Sequence, residues 1–422
     1  MDIVYNIYTY LLRFKGVKMD IFKKCYDYKL ADEAKEAGIY PYFHELTSKQ
    51  DTEVEMEGIH QIMIGSNNYL GLTSHPEVVE ASKKATLDFG TGVSGSRFLN
   101  GTISMHVELE KRLAKFVGME EATIFSSGFQ SNLGIISAIA GRNDIIFSDK
   151  ENHASIYDGM KLSYAEVVRY NHNDMQDLEK KILLTKKKLS EKGIQKGMII
   201  ITDGVFSMTG DVADLPNIIR LAKKYDIRVM VDDAHGLGVT GKNGKGTHEH
   251  YNLMNEVDIV MGTFSKSLAS LGGYVASNKK VINFIRHNSR PYIFSAAIPP
   301  SNTAAALKAL DILEKEPQRV ENLRIISDYM RGKLKESGLK IKDSNASTPI
   351  IPIYTFTPKR TMLACNILFK RGVYVNPVLP PATPPGECLI RTSYTATHTK
   401  DQMDRAVVKI VEVLNELKDY NE

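Results

Sequence analysis

Between residues 122 and 277, seven short apolar, β-branched runs alternate with helical stretches, and this alternation narrows the possible folds more than any other feature. The runs are "ATIF" (122–125), "DIIFSD" (144–149), "EVVRY" (166–170), "MIIIT" (198–202), "RVMVDD" (228–233), "DIVMGT" (258–263) and "GGYVAS" (272–277). Stretches such as "LGIISAIA" and "LPNIIRLAKKY" separate several of them with helical spacing. A near-continuous apolar strand needs cover on both faces, and connections through helices make neighbouring strands parallel. The expectation is α/β, with a mainly parallel sheet in a large domain over residues 61–300.

Outside that span the character changes. Residues 1–60 read as an N-terminal helical segment with irregular chain. After "IPPS" (298–301) come a long helix, strands near "PIIPIYT", "GVYVN" and "CLIRTSY", and a last amphipathic helix from Asp401. These predict a small α+β C-terminal domain over residues 301–422.

Charge bears mainly on partners. The chain of 422 residues carries 54 Lys and Arg against 50 Asp and Glu, a net +4. That mild excess calls for no nucleic-acid partner. Cys25, Cys365 and Cys388 are far apart, which suggests neither a disulfide framework nor a metal site and suits a reducing cytoplasm. No apolar run is long enough to span a bilayer. In the opening stretch, Ile3, Ile7, Tyr10, Leu11 and Phe14 would share one helical face, which would pack on the protein, dock on a partner subunit or touch a membrane surface. Met19 offers an alternative start.

"GTGVSG" (90–95) matches the dinucleotide fingerprint G-x-G-x-x-G, but the match holds only between a strand and a helix. Here "HPEVVEASKKATLDF" leads in, with Pro76 at a helix start and Val78, Val79, Ala81, Ala85 and Phe89 at helical spacing. The next helix opens only near Ser104. A dinucleotide site is therefore rejected, and the glycines are read as a tight turn near a ligand or a neighbouring subunit, with Arg97 available to that ligand.

The stronger constellation comes later. Asp232 stands where one apolar run stops and Lys266 just past the next. His153 follows a third run, and Gly128 and Phe129 open a helix after a fourth. In an open parallel sheet ligands bind beyond the carboxyl ends of the strands. Alone, the lysine reads as a surface residue, the aspartate as a helix cap and the histidine as a structural hydrogen-bonder. Together they offer a Schiff-base lysine, an acid for a pyridine nitrogen, a helix N-terminus for a phosphate and an imidazole to stack on a ring. That combination describes a site for pyridoxal phosphate.

"DGVFSMTGD", "VDDAHGLGVTGKNGKG" and "GTFSKS" resemble the α-oxoamine synthases, fold-type-I pyridoxal phosphate enzymes that condense an amino acid with an acyl-CoA and release carbon dioxide. The resemblance runs from about Asn67 to His398. "GSRFLNGT", "NHASIYDG", "SRPYIFSAAIPPS" and "LPPATPPGECLIRTSYTATHT" resemble the serine-using, long-acyl members more than those using glycine or alanine. One departure is Asp233, where the serine-using pattern has glutamate.

The resemblance implies an aspartate aminotransferase-like fold and these roles. Lys266 would anchor the cofactor and act as base, Asp232 would pair with the ring nitrogen, His153 would stack on the ring, and His235 and Ser207 would lie near its phenolic oxygen. Gly128, Phe129, Thr263 and Ser265 would hold the phosphate, with Ser295 reaching the phosphate of a neighbouring subunit. Asn67, Asn68, Arg97 and Arg391 would handle the substrate, since a guanidinium pairs bidentately with a carboxylate. It further implies L-serine and a long acyl-CoA as substrates, a homodimer with shared active sites, and a cytoplasmic location with possible peripheral contact at the inner membrane surface. The alternatives are a glycine C-acetyltransferase, an 8-amino-7-oxononanoate synthase, or a cofactor-free scaffolding subunit, against which the intact Lys266 argues.

Overall fold

All seven apolar runs are strands of one sheet in the computed structural model, which describes residues 20–342, 344, 346–418 and 420. The face proposed for Ile3 to Phe14 lies outside the described residues. Two short strands, β1 (Glu53–Met56) and β2 (Ile59–Met63), come first and pair as a hairpin. The large sheet follows as β3 (Glu121–Phe125), β4 (Asp144–Asp149), β5 (Glu166–Tyr170), β6 (Gly197–Asp203), β7 (Arg228–Asp232), β8 (Ile259–Thr263) and β9 (Gly273–Ser277).

Its order is β3-β9-β8-β7-β6-β4-β5, parallel from β8 to β5. Only β9 runs the other way, antiparallel to β8 and β3. Residues 264–272 are too few for the crossover a parallel return requires. Alternate side chains face opposite layers. Ile200, Val229 and Val231 pack with Ile182 and Leu221, while Ile199, Ile201 and Met230 pack with Ile136 and Ile156. That two-sided burial is why the runs are apolar throughout.

The C-terminal part holds a second sheet, β10 (Ile350–Phe356), β13 (Cys388–Ser393) and β12 (Asn376–Val378), antiparallel in that order. β11 (Val373–Tyr374) pairs instead in parallel with β2. The last helix, Lys400–Glu416, starts on a capping box of Thr399 with Gln402 and buries Met403, Ala406, Ile410 and Val413 against this sheet.

Two of the expected boundaries need correction. Residues 53–56 and 59–63 are strands, not helix, and through β11 they join the C-terminal part; Val54 and Met56 alternate with glutamates on β1, but the five residues of β2 are too few to show a period. At the other end, the Pro300–Lys315 helix packs Ala305, Ala306, Ala309 and Leu310 into the core of the large unit beside Leu109, Leu113 and Phe264. Its small residues suit close packing on that core, so the helix extends the large unit beyond residue 300.

The glycine loop follows the helical reading. The Pro76–Phe89 helix ends at Gly90, whose φ is 80°, and the next helix is Ser104–Val117. A Cβ on Gly101 would lie 2.2 Å from the Gly95 carbonyl oxygen, so the glycines let the loop fold on itself.

Candidate active site

The carboxyl ends of β3, β4, β6, β7 and β8 open on one edge of the sheet. Asp232 is the last residue of β7 and is buried. Its Oδ1 accepts the Ala234 N–H at 3.0 Å and its Oδ2 the Asn132 amide at 2.6 Å. The same amide nitrogen donates to Ser155 Oγ at 2.8 Å, and Ser155 Oγ lies 2.7 Å from His153 Nδ1. His153 Nδ1 also accepts the Ser155 N–H, capping the Ala154–Ser163 helix. Burial, then the nearby Lys266, lowers the His153 pKa, with Asp232 opposing.

Asp203, level with Asp232 on the adjacent strand, was not among the predicted residues. Its Oδ1 accepts the His153 N–H at 3.2 Å. Burial and the Asp232 charge raise its carboxyl well above the usual range. The signal was present in the sequence as an acidic strand end in "IITDG". Asn132 was also legible, one helical turn beyond Gly128.

Lys266 is half-buried in the 264–272 loop and belongs to no ion pair among the described residues. Desolvation lowers its pKa from 10.5 to about 8, against the raising effect of Asp232 and Asp203. The loop is tied back by Thr263 Oγ1, which contacts Ser265 Oγ at 3.0 Å and donates to the Gly272 carbonyl at 3.0 Å. Facing it, the Gly128–Ile139 helix starts at Ser127, whose Oγ accepts the Gln130 N–H at 3.1 Å. A Cβ on Gly128 would meet Thr263 Oγ1 at 2.7 Å, so only glycine lets the helix start approach β8 this closely. The N–H groups of Gly128 and Phe129 are thus suited to a phosphate, and the hydroxyls of Thr263 and Ser265 stand beside them, able to rotate from their present partners toward an anion. The Phe129 ring meets the His153 ring edge-on, centroids 6.3 Å apart.

A second cluster joins the two sheets. His235 Nδ1 lies 2.7 Å from the Tyr69 hydroxyl, which donates to Asn67 Oδ1 at 3.1 Å. Arg391, buried on β13, donates from Nη2 to Asn67 Oδ1 at 3.0 Å and from Nε to the Ser207 carbonyl at 2.6 Å. Burial first, then the positive charge of Lys266 and Arg391, holds His235 well below its ordinary pKa and therefore neutral. Tyr69 was not predicted, although it directly follows the two asparagines in "NNYLG".

Three of the expected site residues have partners within the protein itself. Asn68 does not reach Arg391, because its side-chain oxygen accepts the backbone N–H groups of Leu72 and Thr73 at 3.1 and 3.3 Å and closes a turn. Arg97 is committed to a buried bidentate pair with Glu110 at 2.7 and 3.1 Å, so its charge is already neutralised. Ser207 enters the site through its carbonyl oxygen. Ser295 lines a small pocket with Arg97, Ser126 and Gln130, beside the start of the Gly128–Ile139 helix. Asp233 points away from Asp232: its carboxylate accepts the Thr247 N–H and hydroxyl at 2.7 and 2.6 Å in a pocket bounded by Gly204, Gly236 and Gly246. The departure at this position is thus a matter of loop packing.

Asp232, Lys266 and Arg391 gather here with no ion pair among the described residues, and Asn132 Oδ1 is buried without a partner. Buried charges normally occur in pairs, so this set is incomplete without a ligand. A cationic ring nitrogen, an aldehyde, a phosphate and an amino-acid carboxylate would complete it, which is the chemistry of pyridoxal phosphate with an amino acid.

Comparison with known proteins agrees with this geometry. The family described as aminotransferase class I and II matches residues 59–410. The chain belongs to that family. Within it, the α-oxoamine synthases are its branch. It is 49% identical to a serine palmitoyltransferase of Bacteroides ovatus, over 94% of this chain and 98% of that protein. It is 43% identical to an 8-amino-7-oxononanoate synthase of Bacillus velezensis, over 92% and 97% respectively. A solved structure of SPT with PLP internal aldimine has a TM-score of 0.90 at 34% identity, covering 95% of this chain and 100% of that one. A Sphingomonas wittichii serine palmitoyltransferase has a TM-score of 0.89 at 35% identity, covering 95% and 100%. The fold is therefore the fold-type-I architecture of this class I and II family.

Proposed function

We propose that this chain is a serine palmitoyltransferase, condensing L-serine with palmitoyl-CoA or a similar long acyl-CoA to 3-ketosphinganine, CoA and carbon dioxide, with pyridoxal phosphate as cofactor. The observation that carries the reading is the unpaired set Lys266, Asp232 and Arg391 at one edge of the sheet. The serine palmitoyltransferase relatives in the comparison give it its substrates.

When bound, pyridoxal phosphate supplies an electron-poor ring that stabilises negative charge at the amino-acid Cα. Asp232, fixed by Asn132 and the Ala234 N–H, would hold the ring nitrogen and keep it protonated. An anion already in place stabilises that cation without reorganisation. Lys266 would anchor the cofactor, and its Nζ would hold or move the Cα proton; a pKa of about 8 leaves it able to act as a base near neutral pH. Arg391 takes the serine carboxylate, its plane fixed by Ser207 and Asn67. His153 covers the ring and orients serine. Neutral His235, joined to Tyr69, hydrogen-bonds the phenolic oxygen. The N–H groups of Gly128 and Phe129 would bind the phosphate, with the hydroxyls of Thr263 and Ser265 turning toward it.

The second reading, an 8-amino-7-oxononanoate synthase, rests on the 43% identity to the Bacillus velezensis protein. Offering serine, alanine and glycine against palmitoyl-, pimeloyl- and acetyl-CoA, with products identified by mass spectrometry, separates the two. Turnover only with alanine and pimeloyl-CoA would replace the first reading with the second.

We infer a homodimer with shared sites, Ser295 reaching the partner's phosphate. Leu99 and Phe294, 76% and 80% exposed in the single chain, support a covering subunit. Light scattering giving one chain mass would refute it. Among the described residues no helix is long and apolar enough to cross a membrane. We further infer a cytoplasmic location; peripheral membrane contact through residues 1–20 is tested by lipid co-sedimentation of full-length and truncated protein.

A further inference from the structure

An ionic cluster outside the groups so far assigned grips the hairpin that carries Ser207. Residues 205–212 turn back on themselves through the Val205–Val212 bridge, with the Phe206 N–H donating to the Asp211 carbonyl at 2.9 Å. Near one end of this hairpin, the Ser207 carbonyl oxygen accepts from Arg391 Nε. At the other, Asp211 Oδ2 lies 2.5 Å from Lys342 Nζ and 3.3 Å from His172 Nε2. His172 Nδ1 in turn lies 3.1 Å from Asp149 Oδ1, and Glu151 is 3.7 Å from Nε2. The Phe206 ring meets the His172 ring edge-on, centroids 4.3 Å apart.

We propose that His172 and Lys342, acting through Asp211, are positioning residues for the amino-acid substrate, holding the 205–212 hairpin so that the Ser207 carbonyl aims the Arg391 guanidinium. The inference rests on the reading of Arg391 as the carboxylate-binding group.

Lys342 comes from the C-terminal part, as Arg391 does, and His172 from the loop after β5 in the large unit. The clamp therefore fixes the hairpin against both parts at once. A second tie, the Thr348 hydroxyl on the Gly210 carbonyl at 2.7 Å, comes from the Lys342 side only. Bidentate recognition needs the guanidinium plane fixed, and the Nε acceptor fixes it. The charged groups facing His172 are Asp149, Glu151, Asp211 and, across Asp211, Lys342. Burial works against a charge on His172, but the hydrogen bonds to Asp149 and Asp211 outweigh it and raise the pKa to about 9. The clamp is therefore charged at neutral pH and weakens as pH rises through 9.

The test uses the pyridoxal phosphate-loaded protein and its His172→Asn, Lys342→Met and Arg391→Lys variants. Calorimetry measures L-serine binding, steady-state kinetics give KM for serine and for palmitoyl-CoA, and thermal melts report stability. The clamp predicts that His172→Asn and Lys342→Met each weaken serine binding about 3- to 30-fold, the size of coupling transmitted through neighbours. KM for palmitoyl-CoA and the cofactor absorbance stay unchanged. The difference in serine affinity between wild type and His172→Asn shrinks between pH 8 and 10. Unchanged serine affinity in both clamp variants, with Arg391→Lys strongly weakened, overturns the clamp and leaves the Arg391 reading standing. Unchanged affinity in Arg391→Lys overturns both. If His172→Asn fails to fold, Lys342→Met decides alone.

Discussion

Asp232, Asn132, Ser155 and His153 are all placed by the large sheet and the helices directly connected to it. Arg391, Asn67, Tyr69 and His235 meet only because two sheets dock, with Asn67 and Arg391 at opposite ends of the sequence. The first group resembles a fixture on one wall; the second exists only while both walls stay in register. Losses in the first group should therefore strike the chemistry, and losses in the second the affinity for serine.

The sharpest break comes at Lys266. Lys266→Ala should abolish turnover and the cofactor's lysine-linked visible absorption while leaving the thermal melt cooperative. Wild-type turnover in that variant ends the assignment. Next, Asp232→Asn should keep the fold and lose roughly 10²–10³ in rate, the usual cost of one preorganised electrostatic partner. Steady-state kinetics at saturating serine would measure it, and an effect confined to KM would move Asp232 into the substrate group.

Within the second group, two neighbouring asparagines should separate. Asn67→Ala removes the acceptor shared by Arg391 and Tyr69, and should raise the serine KM about 5- to 10-fold, the equivalent of one hydrogen bond. Asn68→Ala opens the turn to Leu72 and Thr73, and should lower Tm with little change in that KM. The reverse pattern would exchange their roles.

The smallest effect is a pH dependence of stability. His172 has its pKa raised from 6.5 to about 9 in the folded chain. A raised folded-state pKa contributes stability that is fully present below 6.5 and is lost as pH rises through 9. The Tm gap between wild type and His172→Asn should accordingly narrow from pH 6 to pH 10. A constant gap would mean that His172 acts through packing on Phe206 alone.

Much of the first group was readable in the chain. Strand ends announce themselves where β-branched runs stop, and the edge that gathers ligands follows from parallel direction alone. Asp232, Lys266, His153 and Gly128 were singled out on that basis. Asp203 was passed over because the strand was read as ending at Thr202, and the residue figured only as the first of "DGVFSMTGD". The internal partners of Asn68 and Arg97 were not legible, because nothing local shows that a carboxamide oxygen closes a turn, or that Glu110 will sit against a guanidinium. The β1–β2 hairpin was hidden for a related reason: four- and five-residue strands have too little periodicity to declare themselves, and the partner that stabilises them lies at Val373–Tyr374.

What the amino-acid order determined by itself was the alternation of strand and helix, the two-sided burial of the large sheet and the chemistry stationed at its strand ends. These depend on local periodicity and on the short reach of a strand-to-helix turn. Only the tertiary structure decided which charges are paired and which are left for a ligand. Glu110 neutralises Arg97, whereas Arg391 is surrounded by neutral acceptors, because charge pairing depends on distances across the docked sheets that no spacing along the chain encodes.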